Sequence, residues 1–142
     1  MKNSIRFLAV LVMICLTFTG CVAAENQAVD VDLTALSSTM RAAEMYNMQI
    51  QSENYVGKTI KISGNYATSY SEEMKAQYHF VLVPDASGCC EQGMEFIWNG
   101  EHAFPADYPE VGQAIAVIGV YGVYEEAGNS FYYVAVEDIT VL

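Results

Sequence analysis

The sequence predicts a mainly β domain: a small five-stranded β-barrel with one N-terminal helix, preceded by a signal peptide. Three observations predict it. Between Thr59 and Leu142, five segments rich in Val, Ile, Tyr and Phe alternate with turns bearing Gly, Pro, Asn and Asp. The first and fourth of these are long and carry interior glycines, Gly64 in one and Gly119 and Gly122 in the other, as a strongly curved sheet requires at its corners. Ahead of the first strand lies an apolar repeat of three- and four-residue steps, the mark of an amphipathic helix.

The chain opens on Lys2 and Arg6, then an apolar and small-residue run from Phe7 to Phe18. A membrane span needs roughly 20 apolar residues, and this run of about a dozen has the length of a signal-peptide core. It ends on Thr19-Gly20-Cys21, which resembles a bacterial lipoprotein signal. The resemblance implies that Cys21 is lipidated and becomes the mature N-terminus. Residues 1–20 are then signal peptide, 21–33 a tether and 34–142 the folded domain. Cleavage after Val22-Ala23-Ala24 by ordinary signal peptidase is the alternative, and it too places the domain outside the cytoplasm.

From Leu33 to Gln51, Leu36, Met40, Ala43, Asn47 and Ile50 recur on one helical face, with Ser37 or Ser38 as the cap. Met40, Met45 and Met48 share the helical spacing and read as core packing. The first strand is Thr59 to Tyr66, with Ile60, Ile62 and Gly64 on one side. The second is Tyr78 to Val83, stopped by Pro84-Asp85, and the third is Met94 to Trp98, followed by an Asn99-Gly100 turn. After a loop with Pro105 and Pro109 come the fourth, Ala114 to Tyr124, and the fifth, Ser130 to Leu142.

In this order the chain resembles the OB-fold, and more narrowly bacterial OB-like domains whose first strand runs as Tyr55-Val56-Gly57-Lys58-Thr59-Ile60-Lys61-Ile62-Ser63-Gly64 does here. The passage Cys89-Cys90-Glu91-Gln92-Gly93-Met94-Glu95-Phe96 is similar to that of poorly characterised envelope proteins with this domain. The resemblance implies a fold more firmly than a function. No helix is expected between the third and fourth strands, so the N-terminal helix is expected to plug the barrel.

Seventeen acidic residues face six basic ones, a formal net charge of −11 that becomes two units more negative once the leader is removed. A chain that neutralises phosphates needs a basic stripe, so nucleic acid is expected to be excluded. Anionic head groups are disfavoured on the same ground, which leaves the N-terminal lipid to hold the protein to the membrane.

Of four cysteines, Cys15 leaves with the signal and Cys21 takes the lipid, so Cys89 and Cys90 alone remain for thiol chemistry. A bond between them is strained, because neighbouring Cα atoms lie ~3.80 Å apart and disulfides prefer ~4.4–6.8 Å. Gly88 and Gly93 let this loop turn tightly. Two thiols can hold a soft cation, with His79, His102, Glu91 or Glu101 completing a tetrahedral set; zinc fits such donors, and Cu(I) suits thiolates equally. A reducible Cys89–Cys90 disulfide in an envelope redox protein, and two thiols simply packed in a loop, are the alternatives. No motif orients a histidine as a base toward either thiol, so an enzyme is not expected. Aromatic side chains on an OB-type sheet can stack on a ligand, with Tyr78 and Trp98 the candidates, or fill the interior. The expected product is a lipid-anchored, extracytoplasmic binding module that serves an envelope partner or transporter, or docks a protein or glycan.

Overall fold

The computed structural model describes residues 28–85 and 87–142. The expected signal peptide, with Cys15, and the expected lipidation site Cys21 lie outside the described residues. The described residues are mainly β, with one six-stranded sheet and one α-helix among them. The strands are β1 (Val31–Asp32), β2 (Thr59–Ser71), β3 (Ala76–Pro84), β4 (Glu91–Trp98), β5 (Ala114–Glu126) and β6 (Asn129–Val141), and α1 spans Ser38–Ile50.

The sheet runs β1-β2-β3-β4-β6-β5, and β5 pairs again with β2, so five of the strands close a ring. The long strand β2 makes this closure. Its first half, Thr59 to Asn65, is antiparallel to β5, and its second half, Asn65 to Ser71, is antiparallel to β3. The turnover falls at Gly64, where an added Cβ would lie 2.2 Å from the Leu82 carbonyl oxygen. On the neighbouring strand, the register of β5 against β6 shifts between Val117 and Gly119, and a Cβ on Gly119 would meet the Ala135 oxygen at 2.0 Å. Of the three interior glycines the sequence marks, Gly64 and Gly119 are thus the corners of the ring. Two backbones approach there closer than a side chain permits.

Alternation then sends Ile60, Ile62 and Tyr66 of β2, Val81 and Val83 of β3, Met94 and Phe96 of β4, Ile115, Val117 and Tyr121 of β5, and Val134 and Val136 of β6 into one core. Between β5 and β6 the chain turns through Ala127 and Gly128, both at positive φ, as a tight hairpin with right-handed strands requires. Between β4 and β5 there is no helix, in line with the sequence.

The helix caps one mouth of the ring with Met45 and Met48, two of the three methionines read as core, while the expected stripe through Met40 and Ile50 faces outward. Met40 and Ile50 are 58% and 55% exposed, whereas Met45 and Met48 are fully buried, and the Tyr121 hydroxyl donates to the Met48 carbonyl at 2.8 Å. The orientation is set at its start. Ser37 caps it by accepting from the Met40 amide, and Arg41 donates to the carbonyls of Leu33 and Leu36 at 2.9 and 3.2 Å, which turns Met45 and Met48 inward.

The tether is shorter than the sequence predicts. Val31 and Asp32 pair in parallel with Ile60 and Lys61, Asp30 exchanges two bonds with Thr59 at 2.9 and 2.8 Å, and Leu33 is fully buried. A two-residue strand is too brief to leave a periodic signal. Asp32 then caps a turn of 3₁₀ helix at Leu33–Ala35 and stands 3.8 Å from Lys61; its carboxyl is held below the usual range, first by the Thr34 hydroxyl.

Candidate functional site

Two regions carry chemistry. The first is the loop that joins β3 to β4. Pro84 ends β3, the Asp85 amide donates to the Cys90 carbonyl at 2.8 Å, and Gly88 takes φ +70°, so the chain closes a tight turn that exposes both thiols. The Cys89 and Cys90 sulfurs lie 3.6 Å apart as free thiols. Asp85 Oδ2 stands 4.0 Å from Cys89 Sγ, and one donor atom from each of Asp85, Cys89 and Cys90 lies within 4.8 Å of the others. Ser87 fixes the loop by donating to Asp85 Oδ1 at 2.7 Å, and its oxygen is 2.9 Å from Cys89 Sγ. The Asp85 carboxyl is lowered, chiefly by that serine. The Cys90 thiol is pushed up, first by its contact with Cys89 and then by the Asp85 charge.

Four thiolates around a tetrahedral zinc at ~2.3 Å would stand ~3.8 Å from one another, close to the observed sulfur separation. Two thiols and a carboxylate make three donors, with a fourth position left to water or a partner. Asp85 is the donor the sequence did not single out, though it sits four residues before Cys89.

Neither predicted histidine joins this set. His79 lies on β3 with its Nδ1 2.7 Å from the Tyr66 hydroxyl, stacked 4.0 Å from the Tyr108 ring and flanked by Phe96 and Phe104. Burial lowers its pKa, so the imidazole is a neutral member of an aromatic nest. His102 stacks 3.7 Å above Trp98 and its Nε2 donates to the Asn99 carbonyl at 2.9 Å. Glu91 begins β4 opposite Pro84 and lies outside the Asp85, Cys89 and Cys90 group. Nor do Tyr78 and Trp98 form one surface. Tyr78 shares a face of the sheet with Phe80 and Glu95, while Trp98 alternates onto the side of Phe96 and bonds the Glu137 carbonyl at 3.1 Å.

The second region is a cleft of about 360 Å³ on the outer side of the sheet. β3 supplies Tyr78 and Phe80, β4 supplies Glu95, β5 supplies Tyr124 and Glu126, β6 supplies Phe131, and the β2–β3 hairpin closes one side with Ser69, Glu73 and Met74. Glu95 points away from the core yet keeps only 9% of its surface exposed. It accepts from the Tyr124 hydroxyl at 2.9 and 3.2 Å, and Glu126 accepts from Tyr78 at 2.7 and 2.8 Å. Desolvation raises the Glu95 carboxyl, and the Glu126 charge adds to it. The Glu126 carboxylate in turn pushes the Tyr78 phenol up to about 12. Sequence pattern picks out Tyr78 and leaves the rest unseen, because strand register alone assembles them.

Comparison with family models finds no match, and none of the curated proteins is significantly similar. Among solved structures, the chain is similar to the N-terminal domain of PriB from Thermoanaerobacter tencongensis, solved as a dimer. Identity is 18%, with 59% of this chain and 94% of that chain covered, at a TM-score of 0.36. At this distance the likeness carries no argument about nucleic acid, for or against. The likeness assigns no ligand to this chain.

Proposed function

We propose that the protein is a lipid-anchored, extracytoplasmic OB-like barrel that acts as a binding module, holding a thiophilic metal ion at Asp85, Cys89 and Cys90 in support of an envelope transporter. The barrel reading is supported by the ring β2-β3-β4-β6-β5, whose five strands follow the Greek-key order of an OB-fold. Export and lipidation at Cys21 rest on the leader and on Thr19-Gly20-Cys21. The metal reading rests on one observation: three donors converge within 4.8 Å on an exposed loop. Zinc suits two thiolates and a carboxylate, and its charge reverses the local cost of deprotonating Cys90.

A redox cycle would have to close a strained bond between neighbouring residues, whereas a cation needs only the convergence of donors already present. The test is titration of the full-length, detergent-solubilised protein with Co(II) and then zinc. A thiolate-to-cobalt absorption band, displaced by zinc at about one ion per chain and lost in Cys89→Ser/Cys90→Ser, is the expected result. Thiols that remain fully titratable beside zinc would overturn it. A mass lower by two hydrogens in protein isolated without reductant would turn the reading to the redox alternative. Fatty acid on the peptide that begins at Cys21, lost in Cys21→Ala, tests the anchor.

A further inference from the structure

The cleft between β3, β4, β5 and β6 has the build of a site in its own right, and the metal reading makes no use of it. Glu95 is nine-tenths buried, and among the described residues no lysine or arginine nitrogen lies within ion-pair distance of it or of Glu126. Such a carboxylate is costly to bury without a positive partner. Each carboxylate accepts from a single tyrosine hydroxyl, while an ionised carboxylate has room for about four donors. Acceptor capacity is therefore left over, and the rings of Tyr78, Phe80, Tyr124 and Phe131 line the space beside it.

A compact metal ion is a poor occupant. The described residues offer only one cluster of three or more metal-donating groups, and it is the thiol loop. An organic ammonium ion meets the whole lining: its charge faces the two carboxylates and its carbon skeleton lies against aromatic faces, which attract cations. About 360 Å³ is at the small end of ligand cavities, and the acidic surface draws cations toward it. We propose that this cleft binds a small alkylammonium ion, with Glu95 and Glu126 as counter-charges and Tyr78, Tyr124 and Phe131 as its aromatic wall.

The test is calorimetric titration of the full-length solubilised protein with n-pentylammonium and, as a neutral analogue of the same shape, 1-pentanol. The ammonium ion is expected to bind at least about tenfold more tightly than the alcohol, and Glu126→Gln to remove at least about tenfold of that affinity. Phe131→Ala keeps both charges and removes part of the wall, so it should weaken the ammonium ion as well. It stands in for Glu126→Gln should that variant fail to fold. Equal affinity for the alcohol, unchanged affinity in the folded variants, or no heat up to about 10 mM would overturn the proposal. Binding of a neutral sugar without any response to ammonium would overturn it too. The Cys89→Ser/Cys90→Ser variant should bind pentylammonium as the parent does, which separates the two sites.

Discussion

The thiol loop and the acidic cleft are opposite ways of building a site. Asp85, Cys89 and Cys90 fall within six consecutive residues and are brought together by one tight turn. The cleft draws Tyr78, Glu95, Tyr124 and Phe131 from four strands, and they meet only because the ring closes in one register. A local site is cheap to form and exposed; a tertiary site is rigid and desolvated, and its groups are perturbed as a result. Separate responses to substitution are the consequence.

The largest expected effect strikes the frame. Gly119→Ala places a Cβ 2.0 Å from the Ala135 oxygen, and backbone cannot yield there without unpairing β5 from β6. Destabilisation of about 3 kcal/mol is expected in denaturant melts, with the cleft lost first. Thiol-loop metal binding should outlast it, since that turn needs neither strand. A variant that melts like the parent would show that the ring corner is not tight.

Next comes Tyr124→Phe, which deletes the hydroxyl that donates to Glu95. A charged acceptor that loses its donor in a half-dry site costs about 1.5 kcal/mol. The loss should shrink in acid, where Glu95 is protonated. Equal losses at both pH values would mean that Glu95 is solvated.

The same carboxyl sets a pH dependence. Burial raises the folded-state pKa of Glu95 above its ordinary value of 4.5, so the folded protein binds more protons than the unfolded chain as that group titrates. Its contribution to stability is therefore full below pH 4.5 and is lost as pH rises through the folded value. His79 acts in the other direction: its lowered pKa means that stability falls as pH drops below 6.5. Urea melts across this range, compared with Glu95→Gln, should show the first slope vanish and the second persist.

How much of each region was legible follows from the same contrast. The tight turn that exposes Cys89 and Cys90 could be read directly, because its glycines are local, whereas Asp85 beside the thiols was not singled out. Gly64 and Gly119 announced the ring's corners, since a glycine inside an otherwise apolar strand needs a reason. The inward face of α1 was legible in part: Met45 and Met48 read as core and are buried, whereas Met40 and Ile50 of the cleaner stripe lie exposed once Arg41 is bonded to Leu33 and Leu36. His79 was one of several donors offered to the thiols and is instead a half-buried member of an aromatic nest, because Tyr66, Phe96 and Tyr108 close around it from other elements. Glu95 sat in plain view beside Phe96. Nothing local distinguishes an outward glutamate that water reaches from one that β5 and β6 cover.

The smallest effect sharpens the contrast most. Cys89→Ala with Cys90→Ala removes two exposed side chains that touch Asp85 and Ser87 but no core residue. Stability without metal should therefore change by less than about 0.5 kcal/mol, while the stabilisation that zinc confers on the parent disappears. Each half of that outcome needs the other. A metal-free protein weakened by the change would make the thiols part of the scaffold, whereas zinc protection that survived it would move the ion elsewhere. Only an unchanged scaffold with lost protection fits a loop kept for its donors.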